Sequence, residues 1–253
     1  MKILLYPHKK LKNRLGWGLS LIEGIEMGTR KDFDVAFHWN YNDIKTPLNE
    51  LDFLLNSTKP VYNISLRSVA KKWVDEHMTE ALGYSSLVDA PPGRDMVCVV
   101  KRNKQSRGQA HTSHILWDNN YLDKTQPDYR ISQRFIDTER NGMCEEYRVF
   151  IFCDNFFTVR KRKPVSKRFK SNASEYALIE NENIFSQEEI KGIFRFTNSI
   201  GLDFGEIDVL RDKNDGRIYI VDVNDIAGGA GRIRTMDDVK DRYVYELKTM
   251  LEC

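Results

Sequence analysis

The chain has 253 residues, of which 41% are hydrophobic and 30% are charged, so it can bury a core and present a charged surface. Its 39 basic and 37 acidic residues leave a formal net charge of +2, which excludes a molecule that binds polyanions over its whole surface. It contains no apolar run of 18 residues, and the apolar run near Met1 is too short for a signal peptide, so we expect a cytoplasmic protein without membrane contact.

The first part of the chain, residues 1–62, has the pattern of a small α/β lobe. Apolar runs predict strands at residues 2–6 and 34–39, with a helix at residues 19–27 between them. Ligands gather at the carboxyl ends of strands in such sheets. The first strand is followed by five basic residues, which form either a solvated loop or a contact for an anionic acceptor: His8, Lys9, Lys10, Lys12 and Arg14.

The next part, residues 63–136, begins with a predicted helix at residues 66–82 that carries Lys71 and Lys72. Asn63 or Ser65 is expected to cap the start of this helix, and Gly83 is expected to end it.

A predicted strand at residues 96–100 leads into Lys101, and a second strand is predicted at residues 131–136. The polar loop after Lys101 contains Ser106 and Gly108. A lysine that ends a strand before a polar glycine loop can hold a phosphate, although a single glycine makes this a weak signal.

The last part, residues 137–253, contains a dense basic segment after two predicted strands at residues 145–153 and 156–160. This segment comprises residues 160–170, and seven of these eleven residues are basic: Arg160, Lys161, Arg162, Lys163, Lys167, Arg168 and Lys170. Such a density repels itself unless an anion compensates it. The segment is therefore either a solvated loop or a site for a polyphosphate or nucleic acid, although it has few aromatic residues for base stacking. Two helices complete this part, one at residues 187–199 capped by Ser186 and one at residues 237–251, which we expect on the outside of the molecule.

The stretch from residue 201 to residue 231 reads as strand, turn, strand and glycine-rich loop. A turn at residues 213–216, where Asn-Asp-Gly favours a hairpin, places Asp208 opposite Asp222. Valine and isoleucine alternate with polar residues, so one face is apolar and the other gathers carboxylates and Asn224. Like charges that face each other require a positive partner. Oxygen ligands suit Mg²⁺, whereas the plainer interpretation is a solvated acidic face.

The order of these features resembles the ATP-grasp superfamily, and most closely the branch that contains ribosomal-protein glutamate ligase and other carboxylate–amine ligases. The resemblance covers residues 63–231. It implies an α+β fold with three parts: a short N-terminal α/β domain at residues 1–62, a small lid subdomain at residues 63–136 and a large C-terminal subdomain with the metal site at residues 137–253.

The resemblance also implies a site for ATP. Lys72 matches a helix lysine that reaches the phosphates, and Lys101 matches a second lysine on the α-phosphate. Ser106 and Gly108 lie in the segment that matches the lid. The hinge next to the adenine is matched by four residues: Gln133, Arg134, Phe135 and Ile136. Arg134 stands where the family has glutamate, so the adenine contact is expected from the backbone of Phe135 and Ile136.

Three basic residues match the catalytic positions of the family. Arg148 matches an arginine that positions the acyl phosphate, Arg162 matches an arginine on the phosphate side, and Lys170 matches the arginine of an Arg-Ser-Asn motif. The magnesium ligands correspond to Asp208, Asp222 and Asn224, with two ions expected. Asp222 replaces the usual glutamate and is one methylene shorter, so we expect weaker binding of one ion.

These assignments predict a ligase that joins a carboxylate to an amine, on a small molecule or a peptide, through an acyl phosphate with release of ADP and phosphate. Two alternatives remain. An ATP-grasp kinase would pass the phosphate to a hydroxyl, and a non-catalytic module would bind a polyanion through residues 160–170. A mixed case is a ligase whose acceptor is a large anionic molecule that binds at residues 160–170.

Overall fold

Three β-sheets and the helices between them make up the part of the chain that is described. A computed structural model describes residues 1–6, 15–39, 48–88, 97–102, 113–116, 130–168, 173–225, 233 and 235–252. One described sheet is parallel and two are antiparallel, and helices pack on them, which confirms the predicted α+β class.

The first sheet is parallel, with the strand order β2-β1-β3-β4. Its elements are β1 (Lys2–Tyr6), α1 (Leu15–Ser20), β2 (Glu26–Met27), β3 (Val35–His38), α2 (Leu48–Leu55) and β4 (Val61–Tyr62). The prediction of a helix at residues 19–27 is wrong. Helix α1 ends at Ser20, and Gly24 turns the chain at a φ of 78°, so that Glu26 and Met27 pair with β1. Glycine adopts this left-handed conformation at no steric cost.

A helix and a small antiparallel sheet follow. They consist of α3 (Lys71–Leu82), β5 (Val97–Arg102), β6 (Ser113–Leu116) and β7 (Arg130–Arg134), with the strand order β6-β5-β7. Helix α3 ends at Gly83 as predicted, but it begins after Ala70, later than predicted. Asn63 does not cap the helix because it adopts a φ of 60° and uses its side chain elsewhere.

The largest sheet is antiparallel and has the order β11-β10-β9-β12-β13, with β8 paired to β9. Its strands are β8 (Glu139–Arg140), β9 (Met143–Phe152), β10 (Asn155–Pro164), β11 (Glu175–Ile179), β12 (Phe204–Arg211) and β13 (Ile218–Asn224). Strand β10 continues to Pro164 rather than ending at Arg160, so the basic segment starts inside the sheet.

Each face of this sheet packs against a different layer. One face is covered by α3 and by α4 (Gln187–Ile200), which begins at the predicted Ser186 cap. The other face is covered by the first sheet and by α5 (Asp237–Glu252). Helix α5 packs on the outside of the sheet as predicted, because its other sides are exposed and only an apolar stripe is buried: Val239, Tyr243, Leu247 and Met250.

Helix α3 packs against α4 and β13, so it lies on the largest sheet and not on the small one. The division of the chain at residues 63 and 137 stays a prediction.

Candidate active site

The hairpin of β12 and β13 carries four polar residues on one side. Asp208 lies opposite Asp222, and Glu206 lies opposite Asn224, because a register shift between Asp208 and Val209 moves the pairing by one residue from that of a regular hairpin. Residues that face each other across two strands share a face of the sheet, and we call these four residues the acidic face. The alternate residues are buried in the core on the other side: Ile207, Val209 and Val223.

The positive partner of the acidic face is Arg148 on β9, which pairs directly with Asp208. Its Nε and Nη2 atoms donate to the two carboxylate oxygens of Asp208 at 2.8 and 2.9 Å. Its Nη1 atom lies 2.9 Å from Oε2 of Glu206. Two parallel hydrogen bonds of this kind fix both the distance and the plane of the guanidinium. The structure therefore holds Arg148 rigidly beside the acidic face.

Two buried lysines of β10 extend this arrangement along the sheet. Lys161 forms an ion pair with Glu146, its direct partner on β9, and its Nζ atom lies 3.4 Å from Oδ1 of Asp208. Lys163 lies on the same face, with its Nζ atom 3.3 Å from Oε2 of Glu146. Neither lysine was assigned to the site from the sequence, because the segment was interpreted as a loop. In a strand, the spacing of two between them places both on one face.

A fourth cation comes from α3. The Nζ atom of Lys71 lies 2.9 Å from Oδ1 of Asp222, and the side chain of Lys71 is only 10% exposed. The sequence had assigned the neighbouring Lys72 to the site, but Lys72 is exposed on α3. The residue that the fold brings to the acidic face is thus Lys71, and the phosphate contact of Lys72 stays a prediction.

Together these residues form a balanced charge cluster of four carboxylates and four cations: Glu146, Glu206, Asp208, Asp222, Lys71, Arg148, Lys161 and Lys163. Buried charges are tolerated when they are paired and hydrogen-bonded. The cluster lies at the end of the sheet face whose other end packs on α5.

The ion pairs shift the pKa values of three members of the cluster towards the charged form. Burial alone would raise the pKa of Asp208, but the charges of Arg148 and Lys161 outweigh it and hold that pKa well below its usual range. Burial alone would lower the pKa of Arg148, but Asp208 and Glu206 raise it well above its ordinary value. Burial also opposes ionisation of Glu146, and Lys161 reverses the effect, so the pKa of Glu146 is lowered. Asp208 is therefore a charged oxygen ligand on the acidic face.

Arg162 lies on the opposite face of β10 from the cluster. It pairs with Glu145 on one side and with Glu175 on the other, at 3.2 and 3.1 Å. The structure therefore does not bring Arg162 next to Arg148 and Asp208, and its phosphate role stays a prediction.

Four of the seven basic residues at residues 160–170 are compensated within the protein itself. Lys161, Arg162 and Lys163 pair with carboxylates of neighbouring strands, and Arg168 pairs with Asp137 at 2.6 Å. This weakens the argument for a polyanion at this segment, because these pairs relieve part of the repulsion that required an anion. Lys170 lies outside the described residues.

The hinge residues are engaged with other parts of the protein. The Gln133 side chain is buried and donates to Oγ of Ser86 at 2.7 Å, and Ile136 lies in the core of the largest sheet. Arg134 donates to the hydroxyl of Tyr219 at 2.7 Å and lies 3.3 Å from carboxylate oxygens of the hairpin turn. The guanidinium of Arg168 stacks on the ring of Phe135, 4.7 Å from its centre. Arg134 thus links the end of β7 to the hairpin. The adenine contact by the backbone of the hinge residues stays a prediction.

One positioning residue, Asn63, was interpreted only as a helix cap. Its side-chain amide donates to the carbonyl of Phe204 at 2.7 Å and to that of Asp225 at 3.3 Å. Its side-chain oxygen accepts from the backbone of Asp203 and Phe204 at 2.8 and 2.9 Å. Asn63 therefore ties the end of the first sheet to both ends of the hairpin.

Three further residues are predicted to contact the nucleotide: Lys101, Ser106 and Gly108. Lys101 lies in β5, opposite Ile131 of β7. Ser106 and Gly108 lie outside the described residues, as does the glycine loop at residues 226–232.

The oxygen atoms of Asp208, Asp222 and Asn224 are the donors that a hard divalent cation prefers. Within the described ranges, no three His, Cys, Asp or Glu side chains are grouped so that they could hold a metal ion. The set consists instead of two aspartates that face each other, of which Asp208 also accepts hydrogen bonds from Arg148, and of one amide. This donor set fits one Mg²⁺ ion that also keeps waters or phosphate oxygens.

No protein-family model matches the sequence, and no curated protein matches it either. The comparison of structures does find relatives over the whole chain. A RiPP-associated ATP-grasp ligase from Chryseobacterium gregarium, in complex with ADP and a leader and core peptide, is 12% identical, with a TM-score of 0.64 and coverage of 99% of this chain and 96% of that chain. The macrocyclase MdnC from Microcystis aeruginosa, bound with the precursor peptide MdnA, is 12% identical, with a TM-score of 0.63 and full coverage of both chains at 100%.

D-alanine–D-alanine ligase from Bacillus anthracis is 14% identical, with a TM-score of 0.61, and the match covers 99% of this chain and 96% of that chain. The chain has the ATP-grasp fold. In this ATP-grasp chain the charge cluster lies on the largest sheet, at the hairpin that the resemblance had assigned to the metal. No helix among the described residues is long and apolar enough to span a bilayer.

Proposed function

We propose that this protein is an ATP-dependent ligase that joins a carboxylate to an amine through an acyl phosphate, with release of ADP and phosphate. The observation that carries the proposal is the acidic face with Arg148 fixed beside it, on an ATP-grasp fold. We also propose that it works in the cytoplasm.

A carboxylate becomes reactive towards an amine when it receives a phosphoryl group, because phosphate is a good leaving group. Transfer of that group depends on positioning and charge neutralisation more than on covalent help from the protein. The charge cluster is balanced, so a negatively charged phosphoryl group would gain from the cations that lie nearest to it, and in a largely buried setting such contacts act more strongly than in water.

Arg148 is the residue that we assign to the transferred group. Its hydrogen bonds to Asp208 use two of the five N–H groups of the guanidinium, while its contact with Glu206 is an ion pair. We assign N–H groups that do not bond Asp208 to oxygens of the phosphoryl group and of the tetrahedral intermediate, which both carry negative charge. Lys161 and Lys163 add positive charge on the same face.

Asp208, Asp222 and Asn224 would hold Mg²⁺, which when bound neutralises phosphate charge. Asn63 keeps the hairpin in position through its contacts at Phe204 and Asp225. Lys101, with the lid around Ser106 and Gly108, is proposed to hold the phosphates and exclude water, which would otherwise hydrolyse the acyl phosphate.

Two of the similar structures contain a peptide: the RiPP-associated ligase holds a leader and core peptide, and MdnC holds its precursor peptide. We therefore propose that a carboxylate on a peptide or a small molecule is the acceptor of the phosphoryl group. The anionic acceptor at residues 160–170 stays a prediction that the internal ion pairs do not favour.

The test is a measurement of ADP release over a panel of peptides and small carboxylates, each with mixed amines. We expect ADP release with one class of carboxylate, and a hydroxamate when hydroxylamine replaces the amine, because hydroxylamine traps acyl phosphates. A stable phosphomonoester as the product would show a kinase instead, and the absence of ATP turnover with every pair would contradict the proposal.

The variant for this test is Arg148→Lys, which keeps the charge but loses the paired hydrogen bonds. We expect ADP release to fall about 10²–10³-fold, the usual effect of losing one donor to a developing oxyanion. Arg140→Lys makes the same change at an exposed position of β8 and should leave the rate unchanged.

A further inference from the structure

Lys71 is an unusual residue at the start of a helix. It is the first residue of α3, after Ala70, and the first turn of this helix contains no acidic residue. A cation at a helix N-terminus is unfavourable because it meets the positive end of the helix dipole. The contact with Asp222, at 2.9 Å, supplies the negative partner that offsets this cost.

The packing of α3 fixes this lysine next to the acidic face. Strand β13 is the edge strand of the largest sheet, and α3 packs on the apolar side of that strand. Met78 of α3 accepts a hydrogen bond from the backbone of Ile220, with an N···S distance of 3.1 Å. Lys71 therefore reaches Asp222 of this edge strand from a helix that packs on it, and its side chain is only 10% exposed.

A carboxylate that bridges two cations gives one oxygen to each of them. On Asp222 the Oδ1 atom already contacts the ammonium of Lys71, which leaves Oδ2 as the oxygen for a metal ion. A divalent ion at Oδ1 would lie within a few ångströms of the ammonium and would be repelled by it. Asp222 is also one methylene shorter than the glutamate that the resemblance leads one to expect, so its two oxygens reach less far from the strand.

We propose that the ammonium of Lys71 takes the place of one of the two divalent cations expected at the acidic face, so that the site binds a single Mg²⁺ ion beside a fixed lysine. This inference rests on the proposed function, since it concerns the same nucleotide site. It makes Lys71 the residue that determines the metal stoichiometry.

The test counts metal ions and does not depend on turnover. Mn²⁺ replaces Mg²⁺, and the free Mn²⁺ signal is followed by electron paramagnetic resonance while the wild-type chain is titrated with a saturating non-hydrolysable ATP analogue present. We expect one Mn²⁺ per chain for the wild type and two for Lys71→Met, which removes the charge and keeps the length. Lys71→Arg should again bind one.

The control is Lys191→Met, which removes an exposed lysine of α4 that pairs with Glu188, and it should bind one Mn²⁺. Two Mn²⁺ ions per wild-type chain would overturn the inference without any variant, because Lys71 would then have moved away from Asp222. One ion in Lys71→Met would overturn it as well.

A separate titration measures binding of the analogue itself. Absence of analogue binding would refute the proposed function and the inference with it. Binding of the analogue together with two Mn²⁺ ions would refute the inference alone.

Discussion

Removal of Arg148 should reveal how much of the stability depends on the charge cluster. Arg148→Met replaces the guanidinium by a neutral side chain of similar length and leaves its two carboxylate partners in place. Glu206 is 1% exposed and Asp208 is 13% exposed at the side chain, so both stay out of water. We expect a large loss of stability because a buried charge that loses its counter-charge carries the full desolvation penalty.

The expected loss is about 3–5 kcal/mol, the range for breaking a buried ion pair on one side. An exposed pair is worth far less, about 0.2–1 kcal/mol, because water already solvates both charges. The structure places Arg148 in the first class, since its own side chain is 13% exposed and it contacts two buried carboxylates. A loss of this size is a large part of the roughly 5–15 kcal/mol that stabilises a typical domain.

The assay is urea unfolding followed by far-ultraviolet circular dichroism, with linear extrapolation to water. The double variant Arg148→Met/Glu206→Gln should recover at least about 1 kcal/mol, because the amide no longer needs a counter-charge. Lys191→Met, at the exposed pair with Glu188, is the control and should change stability by at most about 0.5 kcal/mol. A loss below about 1 kcal/mol in Arg148→Met, with no recovery in the double variant, would refute the buried-cluster interpretation.

Two further predictions concern stability. Burial lowers the pKa of His38 from its ordinary 6.5 while its Nδ1 atom contacts the carbonyl of Asn63 at 3.1 Å, so the fold favours the neutral ring. The unfolded chain then binds the proton more tightly, and the contribution of His38 is complete above pH 6.5 and is lost as the pH falls below it. Unfolding free energies between pH 8 and 5.5 should therefore fall more steeply for the wild type than for His38→Gln, by up to about 1.4 kcal/mol per pH unit; equal slopes would contradict this. At the start of α4, Ser186 and Glu189 form a reciprocal cap, so Ser186→Ala should cost about 1 kcal/mol in urea unfolding. Ser199→Ala, near the end of the same helix, should stay within about 0.5 kcal/mol, and similar losses in both variants would count against the cap.

The hairpin was predictable because local features determine it. The turn ends at Gly216 with a φ of 72°, and the alternation of apolar and polar residues leaves only one register that buries the apolar side. The exact pairing of Asp208 with Asp222 also needs the register shift between Asp208 and Val209, which these two facts do not predict. The cap of α4 and its end at Gly201 were predictable for the same reason, because each depends on neighbours a few residues away.

The partners of the acidic face were less predictable because they come from other strands and from α3. Nothing near Glu206 in the sequence indicates that Arg148 lies beside it, since that contact depends on β9 being the neighbour of β12. The burial of the apolar stripe of α5 likewise depends on the first sheet packing beside it.

Neighbouring basic residues differ in what they can contact because they lie on different faces of their element. Side chains alternate along a strand, so Lys161 contacts Glu146 and Asp208, whereas Arg162 lies on the opposite face. In a helix a step of one residue turns the side chain by about 100°, which separates the largely buried side chain of Lys71 from the exposed Lys72. The phosphate contacts assigned to Lys72 and Arg162 stay predictions. The face on which a cation lies depends on the fold, so a motif alone does not determine which carboxylates it contacts.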